Sequence, residues 1–196
     1  EANAARGDLG YVIDTTSLTV SQVADVIWQN VREAVELVSY DPNWPAQYES
    51  EKAHIQAVLG DLAVGIYHIG STAVPGLAAK PVIDILVTVR RLQDATACVA
   101  PLQTLDYTFV DYPQNIDRRF FRKGTPRTHH LHIVEQGGAS MIEHLAFRDA
   151  LRADPELVQR YAELKAKLAI RFKNERAKYS DSKTAFVESV IGADGL

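Results

Sequence analysis

Between residues 81 and 89 the chain alternates. Ile83, Ile85, Val87 and Val89 make one wholly apolar face, while Val82, Asp84, Leu86 and Thr88 make the other. A period of two predicts a strand, and the lone acid marks its second face as the unusual one. Residues 64–69 read as an earlier strand that runs straight into Gly70-Ser71-Thr72. Two further strands are expected at 118–123 and 128–135, joined by a turn around Gly124 and Pro126. Helical spacing appears at 46–59, with Tyr48, Ile55, Val58 and Leu59 on the inner side and Gly60 as the stop. Pro42 and Pro45 keep that helix from running backwards, and 91–105 reads as another helix. After Gly137-Gly138 the chain is helical. Asp154-Pro155-Glu156 is a start signal, followed by the stripe Leu157, Tyr161, Leu164, Leu168 and Phe172. A last helix holds Phe186, Val187, Val190 and Ile191. This order predicts an α/β or α+β domain over 40–196, with a mixed β-sheet flanked by helices and a helical C-terminal part.

Residues 1–39 read as a separate piece. A short strand at 10–14 precedes Thr19 and Gln22, which have the spacing of a capping box. Val20, Val23, Ile27 and Val31 then recur at helical intervals. The phrase VIDTTSLTVSQVADVI resembles the last strand and helix of P-loop small-molecule kinases, although the sequence holds no phosphate-loop motif. Two readings are open: the tail of a kinase-like domain, or a plain β-α extension of the main domain.

Composition narrows the classes without choosing among them. Of 196 residues, 46 % are hydrophobic and 23 % charged, as in an ordinary domain with a real core. The net charge of −4 gives no bulk reason to expect nucleic acid as a partner. Cys98, the single cysteine, excludes an intrachain disulfide framework and a multi-cysteine zinc site, so the cytoplasm is the expected setting. No apolar run approaches the ~20 residues of a membrane helix. The opening EANAARGDLG carries no secretory pattern, so no membrane partner is expected.

The chemistry gathers in HIGSTAVPGLAAKPVIDIL, residues 68–86. Glycine lets a ligand approach the backbone, and amides exposed after a strand suit phosphate. Ser71 and Thr72 add hydroxyls, and Lys80 is a candidate phosphate contact. Asp84, across from the turn, is a candidate holder of a divalent metal. His130 and His132 alternate on one strand and therefore share a face. His68 is expected to support the turn, and His54 and His144 to be structural. The segment RRFFRKGTPR puts Arg118, Arg119, Arg122, Lys123 and Arg127 in a net acidic chain, which points to an anion. Alternation sends Arg118, Phe120 and Arg122 to one side and Arg119, Phe121 and Lys123 to the other. Arg148 and Asp149 read as a structural ion pair.

HIGSTAVPGLAAKPVIDI resembles the signature of the GrpB family, a branch of the nucleotidyltransferase superfamily. The resemblance extends through YDPNW, HHLHIV, FRDALR and Tyr179…Lys183, spanning residues 38–192. It implies a nucleotidyltransferase-like fold that takes a nucleotide or phosphorylated small molecule. Ser71 and Asp84 would be catalytic. Gly70, Ser71, Thr72, Lys80, Arg122, Lys123, Arg127 and His130 would hold phosphates. Mg²⁺ or Mn²⁺ would sit on Asp84 and His132. One departure matters: the superfamily's paired carboxylates are here Asp84-Ile85-Leu86. Either Asp84 holds a single metal with histidine help, or the transfer chemistry is lost and binding alone is kept. The expected function is therefore nucleotidyl transfer, or a regulatory or folding-assisting module fused to or associated with a P-loop kinase domain.

Overall fold

Helix α1, Trp44–Leu59, lays Trp44, Tyr48, Ile55 and Leu59 on the apolar face that alternation predicts for the strand at Ile83–Val89. The computed structural model describes residues 34–112 and 116–193. The strand, helix and kinase-like phrase expected within residues 10–31 lie outside the described residues. Of the first piece, the Val35 N–H donates to the Lys173 carbonyl at 2.7 Å, and Val38 bridges Ala79.

The strands are β1 Gly65–Ile69, β2 Ile83–Val89, β3 Thr108–Val110, β4 Arg118–Lys123 and β5 His129–Glu135. They form one mixed sheet in the order β1-β2-β5-β4-β3. Only β2 and β5 run parallel; the other neighbours are antiparallel. Ile83, Ile85, Val87, Val89, Leu131, Ile133 and Phe121 join α1 in the main core, as the alternation requires. On the opposite face, Ile69, Leu86 and Val134 pack against Met141 and Leu145 of α3, Ala139–Ala153. Helices α4 Pro155–Arg171, α5 Arg176–Asp181 and α6 Thr184–Ala193 complete the helical part. The result is the expected mixed sheet flanked by helices.

Two elements differ from expectation. The single helix expected at 91–105 is a run of 3₁₀ turns, Leu92–Cys98, followed by the short α2, Val99–Gln103. Pro101 is the reason: inside one long helix it would lack an N–H and clash with the preceding turn, whereas the first turn of α2 accepts it. Strand β3 was not expected, because three residues are too few to display alternation.

Candidate functional site

β1 ends at Ile69, which pairs in register with Asp84, so the bend at Gly70–Ala73 starts beside the acid. Gly70 has φ +69° and ψ −170°, a backbone conformation open essentially to glycine alone. A Cβ there would lie 2.5 Å from Asp84 Oδ2, so the carboxylate is closed against the bend. The parallel register of β2 and β5 then sets His130 beside Asp84 and His132 beside Leu86, all on the face away from α1. His130 Nδ1 meets Asp84 Oδ1 at 2.9 Å, and the Arg176 guanidinium of α5 reaches His130 Nε2 at 3.5 Å. Arginine only donates, so Nε2 is the acceptor and the ring proton sits on Nδ1, directed at the carboxylate.

Electrostatics agree with that tautomer. Burial pushes the His130 imidazole down, and Arg176 and Lys80 add to the effect, against the pull of Asp84. For Asp84, burial favours the protonated form. The hydrogen bond from His130, with the positive Lys80 beside it, outweighs burial and holds the carboxyl well below the usual range. The site pairs an ionised acid with a neutral histidine.

Three lysines surround this pair. Lys80 and Lys183 both lie over the Tyr179 ring, at 5.4 and 4.5 Å. Lys165 of α4 is buried, donates to the Ala78 carbonyl and lies 5.1 Å from the Tyr161 centroid. Burial, then the charge of Arg176 and Lys183, brings Lys80 down to about 7. Burial and Lys183 bring Lys165 to about 7 as well, and burial lowers Lys183. The charge of Asp84 acts on all three. Ser71 lies beside the Tyr161 hydroxyl. Ser71, Lys80, Asp84, His130, Arg176 and Lys183 are each half-buried, so the cluster keeps an open side; the Asp84 side chain retains 28 % exposure.

The other candidates separate by face and by commitment. Arg122 is opposite His130 in register and so belongs to the same face, and the charge of Arg127 reaches Lys80. Lys123, expected on the phosphate, faces α1 instead. It pairs with the buried Glu51 at 2.9 Å and lies 5.4 Å from the Tyr107 centroid. Alternation along β4 forces this split. Thr72 is buried and its hydroxyl is committed to His68 Nε2 at 3.0 Å. His68 stacks on Tyr48 at 4.6 Å and, through burial, falls to about 4, so it props the bend as a neutral ring. Arg148 and Arg152 fasten the same bend by donating to the carbonyls of His68 and Ala73. Arg148 also pairs with Asp149 at 2.7 Å. His144 bonds the Ser140 carbonyl within its own helix, and His54 sits 3.7 Å from Glu51.

His132 is enclosed by Phe120 and His144, at centroid distances of 5.1 and 5.6 Å. Its Nδ1 is buried with no partner among the described residues. The expected Mg²⁺ or Mn²⁺ fits this donor set poorly. These ions take oxygen ligands, yet Leu86 fills the second carboxylate position and is fully buried. Among the described residues no three His, Cys, Asp or Glu side chains gather to hold a metal. Sequence reasoning missed Lys165 and Arg176 and used Lys183 only as a motif match. Their signal was weak: they follow Asp84 by some eighty to a hundred positions.

Comparison with known proteins fits this architecture. A UPF0157 protein of Pseudomonas aeruginosa is 40 % identical over 171 residues, covering 84 % of this chain and 70 % of that protein. The crystal structure of the conserved protein GrpB from Enterococcus faecalis superposes with a TM-score of 0.73 at 34 % identity, covering 79 % of this chain and 94 % of that one. A dephospho-CoA kinase of Mycolicibacterium paratuberculosis is 31 % identical over 163 residues, 70 % of this chain but only 40 % of the kinase. No helix among the described residues is long and apolar enough to cross a membrane. Residues 34–192 match the GrpB protein family, and with the shared fold and the identities above they make this chain a member of it.

Proposed function

We propose that this domain binds a nucleotide or another phosphorylated small molecule at the open side of the Asp84 cluster. The observation that carries the reading is the meeting of four basic side chains, Lys80, Lys165, Lys183 and Arg176, around a glycine bend closed on one acid. Phosphate oxygens would take the amides of Gly70 and Ser71, the Ser71 hydroxyl, and charge-assisted bonds from Lys80, with Arg122 and Arg127 at the margin.

Two uses of the bound ligand follow. Nucleotidyl transfer, suggested by the superfamily resemblance, would have Ser71 and Asp84 nearest the reacting phosphate. It predicts release of diphosphate from a nucleoside triphosphate. The second use is a non-catalytic module working beside a P-loop kinase domain. The likeness to a protein named dephospho-CoA kinase, of which this chain spans 40 %, favours it. A cytoplasmic setting suits either use.

Calorimetric titration of the whole chain with ATP, inorganic pyrophosphate and dephospho-CoA tests the reading. We expect at least one to bind, and Lys80→Met to weaken it by about tenfold, the size of one lost charge-assisted bond. Silence from all three, with and without Mg²⁺, would end the proposal.

A further inference from the structure

The same cluster carries a consequence for the kind of ligand it accepts. A divalent ion needs anionic oxygens with lone pairs to spare. Here Asp84 Oδ1 receives the His130 Nδ1–H at 2.9 Å, and Oδ2 lies against Gly70, where a Cβ would approach to 2.5 Å. The next position on that face is Leu86, fully buried, and its register partner His132 is walled by Phe120 and His144. The charges that act on Asp84 or its partner are positive: Lys80, Lys165 and Lys183 on the acid, Arg176 on His130. A metal ion bound at Asp84 would enter a field already set by those cations.

The charge of Asp84 reaches all three lysines and that of Asp181 reaches Lys183, but neither acid pairs with them. Among the described residues none of Lys80, Lys165 and Lys183 forms an ion pair. Two rest on the Tyr179 ring and the third on the Ala78 carbonyl and the Tyr161 ring. Lys80 and Lys183 are half-buried and Lys165 is buried; ammonium groups so placed without a paired carboxylate are incompletely compensated, and an arriving anion supplies what is missing.

We infer that this site takes a polyanion, a ligand bearing a diphosphate or longer phosphate group, and neutralises it with Lys80, Lys183 and Arg176 in the field of Lys165, without a divalent cation. Asp84 then has a structural task. It orients His130 and limits the positive charge of the cluster, and it repels the ligand rather than bridging to it. The inference rests on the phosphate-binding reading above and extends it to charge and metal dependence.

The test is titration of the whole chain with ATP and with inorganic pyrophosphate, once in EDTA and once in excess Mg²⁺. We expect binding in EDTA at least as tight as in Mg²⁺, because Mg²⁺ masks the charge the lysines read. Lys183→Met should weaken it tenfold or more. Asp84→Asn keeps an oxygen for the His130 proton and should tighten binding several-fold. Binding that appears only with Mg²⁺ and vanishes in Asp84→Asn would overturn this inference while leaving phosphate binding intact. No binding under either condition would overturn both. The EDTA comparison uses the unmodified protein, so it decides the matter even if a variant folds poorly.

Discussion

A methyl group at Gly70 would sit 2.5 Å from Asp84 Oδ2, on a backbone with φ +69°. Both facts act in the same direction. An L side chain there is strained, and relief of the contact would displace the carboxylate from His130. Gly70→Ala should therefore lower stability by about 2 kcal/mol, within the usual range for a forced backbone of this kind. It should also weaken phosphate binding, because the bend can no longer close on the acid. Urea unfolding measures the first effect and titration the second; a variant as stable as the parent would refute the argument. The glycine was legible as a turn residue from sequence. The closeness of its partner was not, since that depends on the register of β1 against β2.

Among the elements, α4 shows how local signals and tertiary placement divide the work. Asp154 caps it, accepting from the Glu156 and Leu157 N–H groups at 2.8 and 3.1 Å, with Pro155 in the first turn. Removing the cap in Asp154→Ala should reduce stability by about 1 kcal/mol and leave ligand affinity unchanged, because the cap lies about three turns from Lys165. A change in affinity larger than the change in stability would show that the helix start is coupled to the site. The start signal was fully readable from three residues. The stripe was readable too, for Leu157, Tyr161 and Leu168 are buried, but Lys165 is buried among them. Periodicity places a lysine on the inner face without saying which carbonyl and ring will receive it. At 91–105 the same kind of spacing misled, because Pro101 divides what the apolar pattern alone joins.

At the scale of the whole molecule, packing of the C-terminal helices on the sheet makes pH a variable of stability. Lys80 and Lys165 titrate near about 7 in the folded chain, against 10.5 in the unfolded one. Between those values the unfolded chain binds more protons, so stability rises with pH. The groups facing Lys80 are Arg176, Lys183, Arg127 and Asp84, and those facing Lys165 are Lys183 and Asp84; only the acid opposes the trend. His68, folded at about 4, adds a slope of the same sign below its ordinary 6.5. We expect the Tm of the ligand-free protein to climb from about pH 7 to about pH 9, and the climb to flatten when pyrophosphate is bound and restores the charge. A Tm that falls across this window would contradict the placement of the lysines.

Sequence alone determined the strands β1, β2, β4 and β5, the apolar face shared with α1, the capped start of α4, and the pairing of a glycine bend with one acid. Each is a local matter, set by period, turn chemistry or the few residues that flank it. Tertiary structure decided which charges surround Asp84. It turned Lys123 away to Glu51, committed Thr72 to His68, and brought Lys165, Arg176 and Lys183 in from the far end of the chain. No spacing rule reaches across that separation, because the distance between a strand and a distant helix is fixed only when their buried faces meet.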